Sequence, residues 1–232
     1  MQLSKRLKAV ADTVTIGNRV ADVGCDHAYI SIYLIKNNIA PNVIAMDINK
    51  GPLQRAKENT TNLGFNKNIQ TRLSDGLQKL EPGEADTILI AGMGGALMIK
   101  ILDEGMKAVE KSTELILQPQ SEINLVRKFL HRIGYEIKKE QMVKDDGKYY
   151  FILKAVPEPH ITDYKREVFY QYGKLLLEQQ EPLMIEYLER ENRIRGDVKT
   201  ELLLNPTEKA LERLGEVNQE IAYIEEALTY FK

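Results

Sequence analysis

The order of short apolar runs along the chain constrains its fold more than any single residue does. From Arg19 to about Val156, the runs RVADVG, NVIAMDI, IQTRLSD, ADTILIAGM and ELILQPQ are rich in Val, Ile and Leu and end in polar residues or glycine. Segments of helical composition separate them, among them PLQRAKENTTNLG, GGALMIKILDEGMKAVE and SEINLVRKFLHRIG. Near-continuous apolar strands alternating with helices predict an α/β fold, a parallel sheet covered on both faces. The last piece, YEIKKEQMVKDDGKYYFILKAV, reads as two strands around a tight Asp-Gly turn, so the sheet is expected to end in an antiparallel hairpin.

After Pro157 and Pro159 the period changes, which divides the chain into domains at 1–159 and 160–232. Helices are expected over 162–195 and 206–231, separated by Gly196 and by Asn205-Pro206, with Pro182 as a kink. In the last of them, Ala210, Leu214, Val217, Ile221, Ile224, Leu228 and Phe231 form an unbroken heptad seam. Val168, Tyr172, Leu175, Leu176, Leu183, Tyr187 and Ile194 make a comparable face on the preceding helix. The simplest pairing is an antiparallel, coiled-coil-like helical hairpin satisfied within the chain, and a monomer is expected.

Charge divides along the same line. Residues 1–159 hold 22 Lys and Arg against 19 Asp and Glu, and the remainder 10 against 15, within a net charge of −2. A polyanion would therefore land on the first part. The lone cysteine, Cys25, excludes an internal disulfide framework. The amphipathic N-terminus lacks the pattern of a secretory signal, and no stretch approaches the roughly 20 apolar residues that span a bilayer. These features set the expectation of a cytoplasmic protein with no membrane association.

The informative loop is RVADVGCDHAYISIYL, where a buried strand ends at Val23, Gly24 follows, and a helix begins near Ala28. Ligands of open α/β sheets sit beyond the carboxyl ends of such strands. A dinucleotide needs G-x-G-x-x-G, which seats its pyrophosphate on the helix N-terminus. The corresponding positions here are Gly24, Asp26 and Tyr29. Two glycines are missing and a carboxylate stands in the phosphate approach. That arrangement repels a pyrophosphate and accepts a cofactor carrying a sulfonium and an ammonium, which is S-adenosylmethionine. Asp26 can alternatively cap the following helix, and His27 can be a loop residue without a task. Asp22, within a hydrophobic strand, needs a partner.

The second strand ends in Asp47, followed by Ile48, and the third in Asp75-Gly76. A carboxylate at the first position accepts from ribose hydroxyls; one at the second can accept from an adenine amino group. The fourth strand runs into Gly92-Met93-Gly94-Gly95, which leaves room for a flat ring, although a tight turn needing φ > 0 explains it equally. The Asn/Asp-Pro-Pro-aromatic motif of amino-directed methyltransferases is missing there. The fifth strand ends Gln118-Pro119-Gln120, bringing amide groups to the same rim.

Together, the opening SKRL, ADVGCDHAY, MDIN, SDG, IAGMGG, LQPQ, the DDGKYY hairpin and the helical C-terminus resemble the bacterial tRNA (adenine-N1)-methyltransferases that modify adenosine 22. The resemblance implies a Rossmann-like S-adenosylmethionine-dependent domain, a coiled-coil-like C-terminal domain and tRNA as partner. It implies a cofactor pocket lined by Gly24, Asp26, His27, Asp47, Asp75 and the Gly92–Met93 turn; Asp22, Ile48, Gly76 and Gln118 are expected there too. Adenine N1 attacks the methyl group directly, so neither a metal nor a covalent intermediate is needed. Asp26 and the carbonyls of Gly92 and Met93 are candidates to stabilise the cationic product, and Tyr29 to stack on the base. For RNA, the basic candidates are Lys5, Arg6 and Lys8; then Arg127, Lys128 and Arg132; and, near the expected hairpin turn, Arg190, Arg193 and Arg195. Methylation of a protein or small molecule, or a non-catalytic S-adenosylmethionine-binding adaptor, are the competing readings.

Overall fold

The structure is a computed structural model that describes residues 3–161 and 163–232. It divides into two units, Met1–Thr162 and Asp163–Lys232. The first opens with α1 (Lys5–Asp12), whose N-terminus is capped by the Ser4 hydroxyl accepting from the Leu7 N–H. Then β1 (Val20–Val23), α2 (Tyr29–Lys36), β2 (Val43–Asp47), α3 (Lys50–Asn62), β3 (Ile69–Leu73) and β4 (Thr87–Met93) alternate. They are followed by α4 (Gly95–Glu104), the short α5 (Met106–Val109), β5 (Glu114–Pro119), α6 (Ile123–Arg132), β6 (Tyr135–Asp145) and β7 (Lys148–Pro157).

The seven strands form one sheet in the order β3-β2-β1-β4-β5-β7-β6. β1 to β5 are mutually parallel, and β7 joins antiparallel to β5 and carries β6 on its outer edge. The strand order reverses between β1 and β4, which opens a crevice at their carboxyl ends. β1 and β5 are buried along their whole length, as strands covered on both faces must be. The β6–β7 turn is Asp146-Gly147, both with positive φ (50° and 72°), the geometry a two-residue hairpin turn requires.

At the opposite, amino end of the strands, Glu114 is 2% exposed and holds the base of the sheet together. Its carboxylate accepts from the Thr15 N–H and hydroxyl and from the Thr87 hydroxyl, and pairs with Lys154 at 2.7 Å. Burial pushes this carboxyl up, but Lys154 and the hydroxyls outweigh it and hold it below the usual range.

The second unit is helical: α7 (Glu167–Tyr172), α8 (Lys174–Glu178), α9 (Pro182–Leu204), α10 (Glu208–Leu228) and a terminal 3₁₀ turn, Thr229–Phe231. Thr162, where the sequence opens the expected helix, lies outside the described residues. Pro182 is not a kink but sits in the first turn of α9, where its missing N–H costs nothing. Gly196 does not end that helix either. Glycine costs only about 1 kcal/mol inside a helix, and the chain stays helical to Leu204. α9 and α10 pack as a hairpin joined through Asn205–Thr207, with the Thr207 hydroxyl capping α10 by accepting from the Ala210 N–H. Along the heptad seam, Val217 and Ile224 are fully buried and the other members partly so. Among the described residues no helix is long and apolar enough to cross a membrane.

Candidate active site

A cavity of about 540 Å³ opens at the carboxyl ends of β1, β2 and β4, within the size range of small-molecule sites. The loop after β1 forms its floor. Gly24 (φ 73°), Asp26 (φ 49°) and Ala28 (φ 60°) all take left-handed backbone there. Such conformations cost non-glycine residues about 1 kcal/mol or more and collect at binding sites. α2 starts at Tyr29, with Ala28 at its cap position and no side-chain cap, so Asp26 is not a helix cap. Its carboxylate stays exposed at the cavity wall, 3.4 Å from His27 Nε2.

Asp22 lies beneath the loop, 3% exposed and lining the cavity. The Ser31 hydroxyl donates to it at 2.6 Å. Burial pushes its carboxyl up to about 6; the Ser31 hydrogen bonds oppose that shift and the nearby Asp47 charge adds to it. Asp47, at the end of β2, accepts from the Asn49 N–H at 2.8 Å, and Asp75 follows β3 on the same rim. Ile48 and Leu97, 58% and 50% exposed, are large apolar side chains left open on the cavity wall. A planar ring laid between these elements would cover apolar surface while its polar edges met carboxylates. Cys25 also lines the cavity, but burial and the surrounding carboxylates push its thiol well above the ordinary range, which removes it as a nucleophile.

The glycine turn after β4 does three different things. Gly92 (φ 80°) coincides with a register shift between Ala91 and Met93 against β5, so it is a bulge that re-aims Met93. The Met93 Cε then lies 2.3 Å from where a Cβ of Gly24 would stand, across the β1 loop. Gly94 is the extended cap of α4. Gly95 is required by contact and not by φ, because a Cβ there would sit 2.5 Å from the Ser121 carbonyl. Glu122 accepts from the Ala96 N–H at 2.9 Å, so a carboxylate already occupies the start of α4 and that helix end offers nothing to a phosphate.

The cavity gathers Asp22, Gly24, Asp26, Tyr29, Asp47, Ile48, Asp75, Gly76, Gly92 and Met93 from the sequence-derived set. Two others fall outside the lining. His27 lies with its ring 5.2 Å from that of Tyr29. Gln118 is fully buried, accepting from Arg6 Nη1 at 2.6 Å, so it supports the wall and does not form it. Arg6, assigned to an RNA patch, instead lines the cavity beside Gly92. Gln120, which the end of the fifth strand places at the rim, does line the cavity; Leu97 and Pro52 are lining residues that sequence alone does not single out, since nothing in their local pattern distinguishes them.

The basic candidates separate more sharply. Arg127 is fully buried and ion-paired with Glu140 at 2.7 Å, which removes it from any RNA surface. Lys8 pairs with Asp12, and Arg132 stacks on Phe129 and lies 3.7 Å from Asp103. Arg195 is half-buried and pairs with Glu191 and with Glu220 of α10. Arg190, Arg193 and Arg195 are also not near the hairpin turn. At 1.5 Å per residue, Arg195 lies roughly 14 Å and Arg190 roughly 21 Å before the end of α9. Lys5, Lys128, Arg190 and Arg193 are exposed.

Comparison with known proteins agrees with this geometry. Residues 3–153 match a family model described as a methyltransferase domain. The tRNA (adenine(22)-N(1))-methyltransferase of Bacillus subtilis is 41% identical over 155 residues, 67% of this chain. That alignment spans 65% of the B. subtilis enzyme, just under two thirds. The crystal structure of the B. subtilis m1A22 tRNA methyltransferase superposes with a TM-score of 0.87 at 31% identity, covering 98% of this chain and 99% of that one. A Streptococcus pneumoniae protein crystallised in complex with S-adenosyl-L-methionine gives 0.85 at 31% identity, covering 98% and 100%. The chain belongs to the methyltransferase-domain proteins and, within them, to the family of bacterial tRNA (adenine-N1)-methyltransferases.

Proposed function

We propose that this protein transfers the methyl group of S-adenosylmethionine to N1 of an adenine in tRNA, the adenosine at position 22. The observation that carries the reading is the acceptor set of the cavity: Asp22, Asp47 and Asp75 converge on one space that also exposes Ile48 and Leu97. A cationic adenosyl ligand fits that set, and a pyrophosphate does not. Bound there, S-adenosylmethionine supplies an electrophilic methyl group on a cationic sulfonium.

Each residue's task follows from its chemistry. Asp47 accepts from ribose hydroxyls, and Asp75 from an amino group of a purine that Ile48 and Leu97 sandwich. Asp22 faces the cationic end. The bulge at Gly92 keeps side-chain bulk away from the acceptor's approach, and Asp26 and the Gly92 and Met93 carbonyls offset the charge that develops on the adenine. N1 attacks with an in-plane lone pair, so no general base has to act at that atom. In a paired adenine N1 accepts a hydrogen bond, so the base must be unpaired or turned out of the stack to enter. Exposed Lys5, Lys8, Lys128, Arg132, Arg190 and Arg193 are the candidates for phosphate contact, and the cytoplasm, where tRNA is processed, is the working compartment.

Labelled-methyl transfer to unmodified tRNA followed by nucleoside analysis tests the reading. N1-methyladenosine is the expected product. Methylation only of protein or metabolites, or cofactor binding without transfer to any cellular pool, would overturn it. Asp47→Ala is expected to weaken cofactor affinity about 10- to 100-fold, the usual range for charge-assisted hydrogen bonds. Unchanged affinity by calorimetry would remove the ribose role.

A further inference from the structure

The two glutamines that flank Pro119 at the end of β5 have opposite fates. Gln118 is fully buried and engaged at both ends of its amide: Oε1 accepts from Arg6 Nη1 at 2.6 Å and Nε2 donates to the Pro119 carbonyl at 3.1 Å. Gln120 is exposed and lines the cavity. Its backbone N–H donates to the Met93 carbonyl at 2.9 Å, which anchors it to the bulged end of β4. Its Nε2 lies 3.8 Å from the Cβ position that Gly92 leaves empty, and its carboxamide makes no hydrogen bond among the described residues. The amide nitrogen therefore stands at the space opened by the missing side chain of Gly92, beside Arg6 Nη1 at 3.4 Å from the same position, and the Gln120 carboxamide carries an acceptor in the same plane.

We propose that Gln120 is the residue that selects adenine, by pairing with its Hoogsteen edge. The proposal rests on the adenine-N1 reading above and deepens it. Methylation at N1 occupies the Watson–Crick edge, so recognition of the base must use another one. The Gln120 Oε1 accepts from the N6 amino group and Nε2 donates to N7, the bidentate pattern by which a carboxamide reads adenine. Guanine presents two acceptors, O6 and N7, along that edge and leaves Oε1 facing a carbonyl oxygen, so it is rejected. As N1 is alkylated the ring becomes cationic and its N6 protons more acidic. The bond to Oε1 then strengthens toward the transition state, and such a gain raises kcat. Gln118 acts at one remove, by clamping the Arg6 guanidinium against the same wall.

The test compares wild-type protein and Gln120→Ala on tRNA carrying either adenosine or 7-deazaadenosine at position 22. The second base lacks the N7 acceptor. Wild type is expected to lose about 10-fold in kcat/KM on 7-deazaadenosine, the value of one good hydrogen bond. Gln120→Ala is expected to be 10- to 100-fold slower on adenosine and to show no further loss on 7-deazaadenosine. Any intrinsic change in N1 basicity is common to both proteins and cancels in the comparison. Cofactor affinity and thermal melting measured on the same variant separate loss of recognition from loss of fold. An equal 7-deaza effect in both proteins overturns the assignment while leaving the adenine-N1 reading intact. Failure of the wild type to form 1-methyladenosine on any tRNA overturns both.

Discussion

Replacing Arg127 by alanine is expected to destabilise the protein by about 3–5 kcal/mol, the cost of breaking a buried ion pair, and to leave RNA affinity per folded molecule unchanged. Arg127 on α6 and Glu140 on β6 have side chains 0% and 1% exposed, with Nε 2.7 Å from Oε1. The guanidinium also lies 5.8 Å from the centre of the Phe151 ring, so the pair joins helix, hairpin and sheet. Truncating the cation strands a carboxylate where water cannot reach it. Because a domain of this kind is stable by only 5–15 kcal/mol, the loss should be evident in urea unfolding at 25 °C. The double replacement Arg127→Leu with Glu140→Leu separates burial of charge from packing. It is expected to recover most of the loss, since an apolar pair of similar volume needs no desolvation of ions. A single mutant within 1 kcal/mol of wild type, or one whose folded fraction binds tRNA less tightly, would restore Arg127 to the surface.

That error shows where the sequence stops being legible. Strand and helix alternation could be read because buried parallel strands are apolar throughout, and the Asp-Gly turn because few residues tolerate its backbone. Arg127 was misread although its helix carried the signal: Val126, Leu130 and His131 put it on the buried stripe. Its partner was hidden by a bulge. The register shifts between Ile137 and Lys139, which leaves two successive lysines, Lys138 and Lys139, exposed and flips the alternation so that Glu140 points inward. Gly92 presents the same ambiguity, because a bulge and a tight turn both ask for glycine at positive φ. The acids after β1, β2 and β3 could be found from spacing alone. Arg6 could not, since the fold brings it to the cavity from α1, whereas the end of the fifth strand places Gln120 at the rim from sequence.

Asp22→Asn is expected to stabilise the ligand-free protein at pH 8 while weakening cofactor binding, because one buried charge produces both effects. In the fold this carboxyl titrates near 6, raised from an ordinary 3.8 by burial. Between those values the folded state holds a proton that the unfolded chain releases. The stability this confers is complete below pH 3.8 and is lost as the pH rises through about 6. Above that, the ionised group burdens the ligand-free fold by about 3 kcal/mol, the equivalent of a shift of some two pK units. An asparagine keeps the acceptor for the Ser31 hydroxyl and removes the charge. Its melting temperature should therefore exceed wild type at pH 8, by a margin that narrows from about pH 6 downward and closes below pH 3.8. Cofactor affinity should move the other way. In the wild type it falls as the pH drops below about 6 and Asp22 takes up its proton. In the variant it starts at least about 10-fold weaker at pH 8, the loss of one charge-assisted contact, and that step near 6 disappears. A melting difference that is the same at pH 8 and below pH 3.8 would show that the buried charge is not what Asp22 costs the fold. A pH step in affinity that survives the substitution would assign it to another group.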